Sequence, residues 1–310
     1  MRVIFMGTPE FSVPTLQKLI DSSDFDVVAV YTRQPAKAKR GQKIVNSPIH
    51  QLALQHNIEV VTPISLKNEQ ELQKFQSFNA DLAVIVAYGL ILPENIIEST
   101  KFGCINLHPS LLPKYRGATP IQSTLLNGDK IGGVSIIKMD KGVDSGPILL
   151  QEIYDINPED DFLTLAPKFA DIGADMILRV GKSLYSGEDV AIEQDHKNAT
   201  MSRKITKADA EIDFSCTVDE VLSKIKAFTG FLTANFTLKD QKIKIFSARR
   251  ILKVELKSDF VRVGDIEVNH ELVIKCRDGY LQPLMLQKPG GKPLIIQDFL
   301  LGFKTSSYML

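Results

Sequence analysis

The chain has 310 residues, of which 44% are hydrophobic and 24% charged, a balance typical of a globular protein and long enough for two domains with buried cores. Cys104, Cys216 and Cys276 stand far apart, with no Cys-x-x-Cys pair and no ligand-like histidine spacing, which argues against a disulfide framework or a zinc site and for a reducing cytosol. The opening apolar run is too short for a signal peptide, and the uncharged run Leu82–Pro93 falls short of the roughly 20 residues a membrane helix needs, so a cytoplasmic protein without a membrane partner is expected.

In chain order, Val3–Met6, Val27–Tyr31, Val60–Val61 and Leu82–Ala87 read as buried strands, because both faces are apolar. Helices with start signals lie between them: Thr8 as N-cap with Pro9 in first position, and Ser47 followed by Pro48. Cys104–Leu107, Val134–Met139 and Ile148–Ile153 continue the strands, and Asp161–Tyr185 reads as a helix with a kink at Pro167, closed by Ser186-Gly187. This β-α order predicts an α/β fold, a doubly wound, mostly parallel sheet, over residues 1–187. Polar residues 188–205 read as a linker. Over 206–310 a helix, Val218–Phe228, precedes short strands at Thr233–Leu238, Ile243–Ala248, Phe260–Val263, Glu271–Cys276 and Tyr280–Leu286, with turn pairs between several of them, which favours a small barrel or sandwich.

The net charge of zero hides an asymmetry. Residues 1–200 carry 19 Lys and Arg against 24 Asp and Glu, and residues 201–310 carry 18 against 13. A basic back half on an acidic front half suggests a polyanionic partner. A second basic feature follows the second strand: no Asp or Glu occurs between Asp26 and Glu59, while Arg33, Lys37, Lys39, Arg40 and Lys43 cluster in one loop suited to phosphates.

The sharpest chemical signal is Asn106-Leu107-His108-Pro109-Ser110-Leu111-Leu112-Pro113-Lys114-Tyr115-Arg116-Gly117, directly after a predicted strand. In an open α/β sheet, ligands bind at the carboxyl ends of strands, and alternation puts Asn106 and His108 on one side. Flanking prolines stiffen the loop. A second loop, Asp140-Lys141-Gly142-Val143-Asp144-Ser145-Gly146-Pro147, is able to bring a carboxylate over the same edge, where it would orient the His108 ring.

These two stretches resemble the folate-dependent formyltransferases, and Phe5-Met6-Gly7-Thr8-Pro9-Glu10-Phe11 is similar to the branch acting on methionyl-tRNA. The resemblance runs through Lys204-Ile205-Thr206-Lys207 to Leu286-Gln287-Lys288-Pro289-Gly290-Gly291 and Asp298-Phe299-Leu300. It implies a Rossmann-like formyltransferase domain with a C-terminal OB-like barrel that binds tRNA. It also implies transfer of formyl from 10-formyltetrahydrofolate, as co-substrate, to the α-amine of methionyl-tRNA, without a metal, by a monomer. The implied catalytic residues are Asn106, His108 and Asp144. Folate would lie against Ser110, Leu111, Leu112, Pro113 and Asp140 and an apolar wall at Tyr88, Gly89 and Leu90, and the acceptor stem against Lys37, Lys39, Arg40 and Lys43. The chain departs from the family at Lys37-Ala38-Lys39, where Gly and Pro are usual. It departs again at Ala227–Leu232, where a Pro- and Trp-rich turn is usual and Phe231 could fill the apolar role.

Two other enzymes remain to be weighed. A formyltransferase acting on a small amine, a nucleotide sugar or glycinamide ribonucleotide, shares the first-domain motifs but requires neither basic feature. A nicotinamide-dependent oxidoreductase would need G-x-G-x-x-G after the first strand, where Gly7-Thr8-Pro9-Glu10-Phe11 stands.

Overall fold

The computed structural model describes residues 1–38, 43–238, 240–251, 264, 266–268 and 272–301. The predicted strand Phe260–Val263 and the basic residues Lys39 and Arg40 lie outside them. The chain forms two compact units: Met1–Pro120 with Ile131–Asp155 and Ala166–Ser202, and Ile121–Lys130 with Ile156–Leu165 and Arg203–Leu310.

The first unit begins with β1 (Arg2–Gly7), α1 (Val13–Asp21) and β2 (Asp26–Tyr31), followed by a ribbon of β3 (Ala36–Ala38) and β4 (Lys43–Val45). Next come α2 (Pro48–Gln55), β5 (Val60–Val61), α3 (Glu69–Ser77), β6 (Leu82–Val86), α4 (Glu94–Ile97), β7 (Cys104–His108) and β8 (Arg116–Gly117). After α5 (Pro120–Leu126), which belongs to the second unit from Ile121 on, follow β9 (Ile131–Lys138), β10 (Ile148–Asp155), α6 (Phe162–Ser186), whose first turn also belongs to the second unit, and β11 (Met201–Ser202). Seven strands form one sheet in the order β10-β9-β7-β6-β1-β2-β5, parallel from β7 to β5 and antiparallel at β9 and β10. Helices cover both faces, so Val3, Ile4, Phe5 and Met6 are all fully buried, as are Leu82, Ala83 and Val84 on β6.

Local chemistry moved some expected boundaries. Thr8 does not cap α1. Its hydroxyl donates to the Tyr88 carbonyl (2.9 Å), and Ser12 Oγ donates to the Val86 carbonyl (2.6 Å). Both tie a short turn, Glu10–Ser12, to the end of β6 before α1 begins at Val13 with Pro14 in its first turn. Ser47 does cap α2, accepting from His50 N at 3.0 Å. Pro167 is tolerated because it falls in the second turn of α6, where only the Leu163 carbonyl loses its donor. The basic loop is drawn into the β3–β4 ribbon, with Lys37 opposite Ile44 and Lys43 opposite Ala38.

In the second unit, α7 (Val218–Phe228) starts with a capping box in which Thr217 and Glu220 satisfy each other's backbone N–H. An antiparallel sheet follows, built from β12 (Asn235–Leu238), β13 (Gln241–Ile251), β14 (Ile266–Val268), β15 (Leu272–Cys276), β16 (Gly279–Gln287) and β17 (Leu294–Ile295), and α8 (Ile296–Leu300) closes the described chain. Its described strands run in the open order β12-β13-β16-β15-β14, with β17 on β16. Alternation along β13 buries Ile243 and Ile245 while Lys242 and Lys244 stay exposed. In the departure at Ala227–Leu232, Phe231 packs its ring 6.1 Å from that of Phe162.

Candidate active site

The carboxyl end of β7 carries Asn106 and His108 on one side of the sheet, fixed by pairing with Ile85 of β6 and with Ile137 and Ser135 of β9. The loop between β9 and β10 folds Asp144 over that side. Asn106 Nδ2 donates to Asp144 Oδ1 (3.2 Å), and His108 Nδ1 faces Asp144 Oδ2 at 3.5 Å. The Gly117 N–H also donates to Asp144 Oδ2 (2.8 Å). The other ring nitrogen of His108 lies 2.9 Å from the Tyr115 carbonyl, an acceptor only, so Nε2 must carry a proton. The ring thus stands between a carbonyl and a carboxylate. The three side chains singled out in the sequence therefore converge around one carboxylate.

Behind them the Ser110–Pro113 loop is a tightly bonded buttress. Ser110 Oγ donates to the Lys114 carbonyl (2.6 Å), and Ser135 Oγ donates to the Ser110 carbonyl (2.6 Å) while accepting from Leu112 N (3.1 Å). Gln151 Nε2 donates to the Leu112 carbonyl (2.9 Å) and to Ser135 Oγ (2.8 Å). The Leu112-Pro113 peptide is cis. Ser110 and Leu112 are buried. Leu111 and Pro113 are partly exposed. The loop thus holds the geometry of β7 and offers a ligand only part of its surface.

The end of β6 divides its residues. Tyr88 is buried, its ring in a core cluster with Tyr31 and Phe75 and its hydroxyl without a partner among the described residues; burial is the main cause pushing that phenol well above its usual range. Leu90 packs on the same cluster, Gly89 is exposed, and Ile91 is 80% exposed at the sheet edge. Arg33 reaches over this edge and donates from Nη1 to the Gly89 carbonyl (3.3 Å). In the β9–β10 loop, Asp140 is a staple: its carboxylate accepts from Gly142 N (2.9 Å) and from Ser145 Oγ (2.9 Å). A cavity of about 440 Å³ adjoins this loop, where the apolar Ile97, Cys104 and Met139 meet a largely charged rim that includes Glu98, Lys101 and Asp140. Its size and mixed walls suit a small fused ring system.

Other residues around the site carried little signal in the sequence. Tyr115 acts through its carbonyl and Gly117 through its amide, roles any residue type offers. Gln194 lies in the stretch expected as a linker, yet its side chain is buried and bonded to the loop of Asp144. That stretch is not free of contacts: β11 pairs in parallel with β8, and Thr200 accepts from Tyr115 N through its hydroxyl (2.8 Å). The glycine that ends β1 serves packing. A Cβ at Gly7 would stand 2.7 Å from the Phe5 ring and 2.9 Å from Ser12 Cβ, so its small size is explained without a dinucleotide. Among the described residues, no group of three or more His, Cys, Asp or Glu is placed to hold a metal ion, and no helix is long and apolar enough to cross a membrane.

Residues 1–180 match the family described as Formyl transferase, and residues 204–304 match Formyl transferase, C-terminal domain. The chain is 42% identical over 306 residues to the methionyl-tRNA formyltransferase of Wolbachia sp. subsp. Drosophila simulans (strain wRi), covering 99% of this chain and 98% of that one. It is 41% identical over 310 residues to the methionyl-tRNA formyltransferase of Ehrlichia canis (strain Jake), covering 98% and 97%. Among solved structures it is similar to an N-formyltransferase from Helicobacter canadensis in complex with folinic acid and dTDP-3-aminofucose. That likeness has a TM-score of 0.65 at 20% identity, covers 92% of this chain and 98% of that one, and shows a shared fold.

Proposed function

The chain belongs to the formyl transferase family, and from that premise we propose that it transfers the formyl group of 10-formyltetrahydrofolate to the α-amine of methionyl-tRNA, giving formylmethionyl-tRNA. The observation that carries the reading is the convergence of Asn106, His108 and Asp144 at the carboxyl end of β7, within a chain similar end to end to methionyl-tRNA formyltransferases. The donor supplies an activated one-carbon unit at the oxidation level of formate. Its ring system would be held in the cavity beside Met139 and Asp140.

The chain's own residues then do three things. The Asn106 amide has one N–H on Asp144 and a second to give to the formyl oxygen as it gains negative charge. The His108 ring, set between the Tyr115 carbonyl and Asp144, lies beside that oxygen and would stabilise its negative charge. Asp144, through a water, receives the proton lost by the attacking amine. In balance, the amine nitrogen bonds to the formyl carbon, the bond from that carbon to the donor nitrogen breaks, and a proton returns to the donor nitrogen. The basic loop of the sequence, with Lys37, Lys39, Arg40 and Lys43, holds phosphates of the acceptor stem, and the C-terminal part, basic over residues 201–310, adds salt-dependent contacts to the tRNA backbone. The enzyme works as a monomer in the cytoplasm.

The test is incubation of the chain with 10-formyltetrahydrofolate and methionyl-tRNA, with mass detection of formylmethionine and an amino sugar as the competing acceptor. Formylmethionine is the expected product. Formylation of the sugar alone would refute the reading in favour of a small-amine enzyme.

A further inference from the structure

The carboxylate at the centre of the site is held through its backbone as well as its side chain. Asp144 adopts φ +47°, a left-handed conformation that a non-glycine residue keeps only when its surroundings enforce it. The enforcing group comes from the stretch between α6 and β11. Gln194, 4% exposed, donates from Nε2 to the carbonyl of Asp144 (2.9 Å) and to that of Gly146 (2.7 Å). Its Oε1 accepts from Arg116 Nε (3.0 Å) and from Arg116 Nη2 (2.7 Å). All four hydrogen-bonding positions of the amide are used, and only one orientation works, since a flipped amide would set N–H against N–H at the guanidinium.

Arg116 is itself well anchored. It is 8% exposed, its backbone N–H donates to the Thr200 carbonyl (2.9 Å), and its Nη2 also lies 3.1 Å from His196 Nδ1. Its guanidinium carries donors and no acceptor, and so fixes which way the Gln194 oxygen points. On the other side, the loop's closing leg has no room to swing: a Cβ on Gly146 would stand 1.9 Å from the Lys138 carbonyl. The chain of contacts runs from β8 through Arg116 and Gln194 to the backbone of Asp144.

We propose that Gln194 is a positioning residue for the transfer reaction: anchored by Arg116, it holds the Asp144 backbone so that the carboxylate stays between Asn106, the Gly117 N–H and the His108 ring. The inference rests on the formyl-transfer reading. Gln194→Glu is the informative change. It keeps an acceptor for Arg116 but turns an oxygen, in place of a donor, toward two carbonyls, so the loop must move while the buried guanidinium remains paired.

The experiment measures single-turnover formyl transfer by the full-length wild type, Gln194→Glu, Asp144→Asn and the double variant. Gln194→Glu is expected to be about a hundredfold slower, the scale on which misplacement of a catalytic group acts, with KM for either substrate little changed. On the Asp144→Asn background it should cost no more than about threefold, because it acts only through that carboxylate. A near-wild-type rate for Gln194→Glu, or two losses that multiply in the double variant, would overturn the proposal. If Gln194→Glu does not fold, Gln194→Met replaces it, and failure of both to fold would assign the residue to the scaffold alone and end the proposal. A second arm needs no turnover: the ring ¹⁵N signal of His108 Nδ1 should shift in Gln194→Glu as the carboxylate leaves, and an unshifted signal overturns the positioning role. A wild type that fails to formylate methionyl-tRNA would refute the function, and the His108 signal would still decide the role of Gln194.

Discussion

Gly117 joins the loop after β7 to the stretch that carries Gln194, and replacing it with alanine tests the whole arrangement. Its φ is +109°, outside the region side chains adopt, and a Cβ there would stand 2.6 Å from the backbone carbonyl of Ser202. The backbone strain amounts to on the order of 1–3 kcal/mol. Forcing a methyl group against a fixed carbonyl adds roughly another 1–3 kcal/mol. Gly117→Ala should therefore destabilise the first unit by about 4 kcal/mol, lowering its melting temperature by on the order of 10 °C for a unit of this size. Because the Gly117 N–H donates to Asp144 Oδ2, the displaced backbone should also slow formyl transfer in the molecules that remain folded. Thermal melting followed by circular dichroism measures the first effect, and turnover well below the transition measures the second. A variant that melts within about 2 °C of wild type, less than 1 kcal/mol is worth here, and turns over normally would refute the reasoning.

What the sequence reveals of this arrangement depends on whether a residue acts through its side-chain type or through its backbone. Buried strands such as β1 and β6 are legible because burial on both faces demands continuous apolar runs. Asn106, His108 and Asp144 are legible because an amide, an imidazole and a carboxylate at strand ends are chemically expressive. The Tyr115 carbonyl and the Gly117 amide leave no such mark, since a backbone group carries no side-chain signature, even though the φ at position 117 calls for glycine. Tyr88 shows the reverse case: an aromatic residue at a strand end suggests a ligand wall, but its position on the inward face of the chain buries the ring with Tyr31 and Phe75. Thr8 looks like a helix cap until tertiary structure supplies a better acceptor, the Tyr88 carbonyl. Gln194 is hidden for a different reason. A single buried polar residue among exposed ones leaves no periodicity, and only the folded contact with Arg116 and Asp144 sets it apart from a solvated linker.

The remaining predictions concern the site, the tRNA contact and pH. His108→Ala should slow formyl transfer by about a hundredfold or more, and near-normal turnover would reject its role. Arg40→Ala should raise KM for methionyl-tRNA far more than KM for the folate donor, by a factor that shrinks as salt rises; equal effects on both would detach this basic loop from tRNA. Burial pushes the Cys104 thiol up to about 12, and burial, helped by Asp278, does the same for Cys276. In the unfolded chain these thiols ionise near pH 8.5, so between about pH 8.5 and 12 the folded state holds protons the unfolded state has lost, and stability falls as pH rises. Cys104→Ala removes one of the two thiols and should make the decline of the melting temperature between pH 8 and 11 shallower than in wild type. Parallel declines in the two proteins would mean that the Cys104 thiol, however deeply it is buried, contributes nothing to the alkaline instability of the fold.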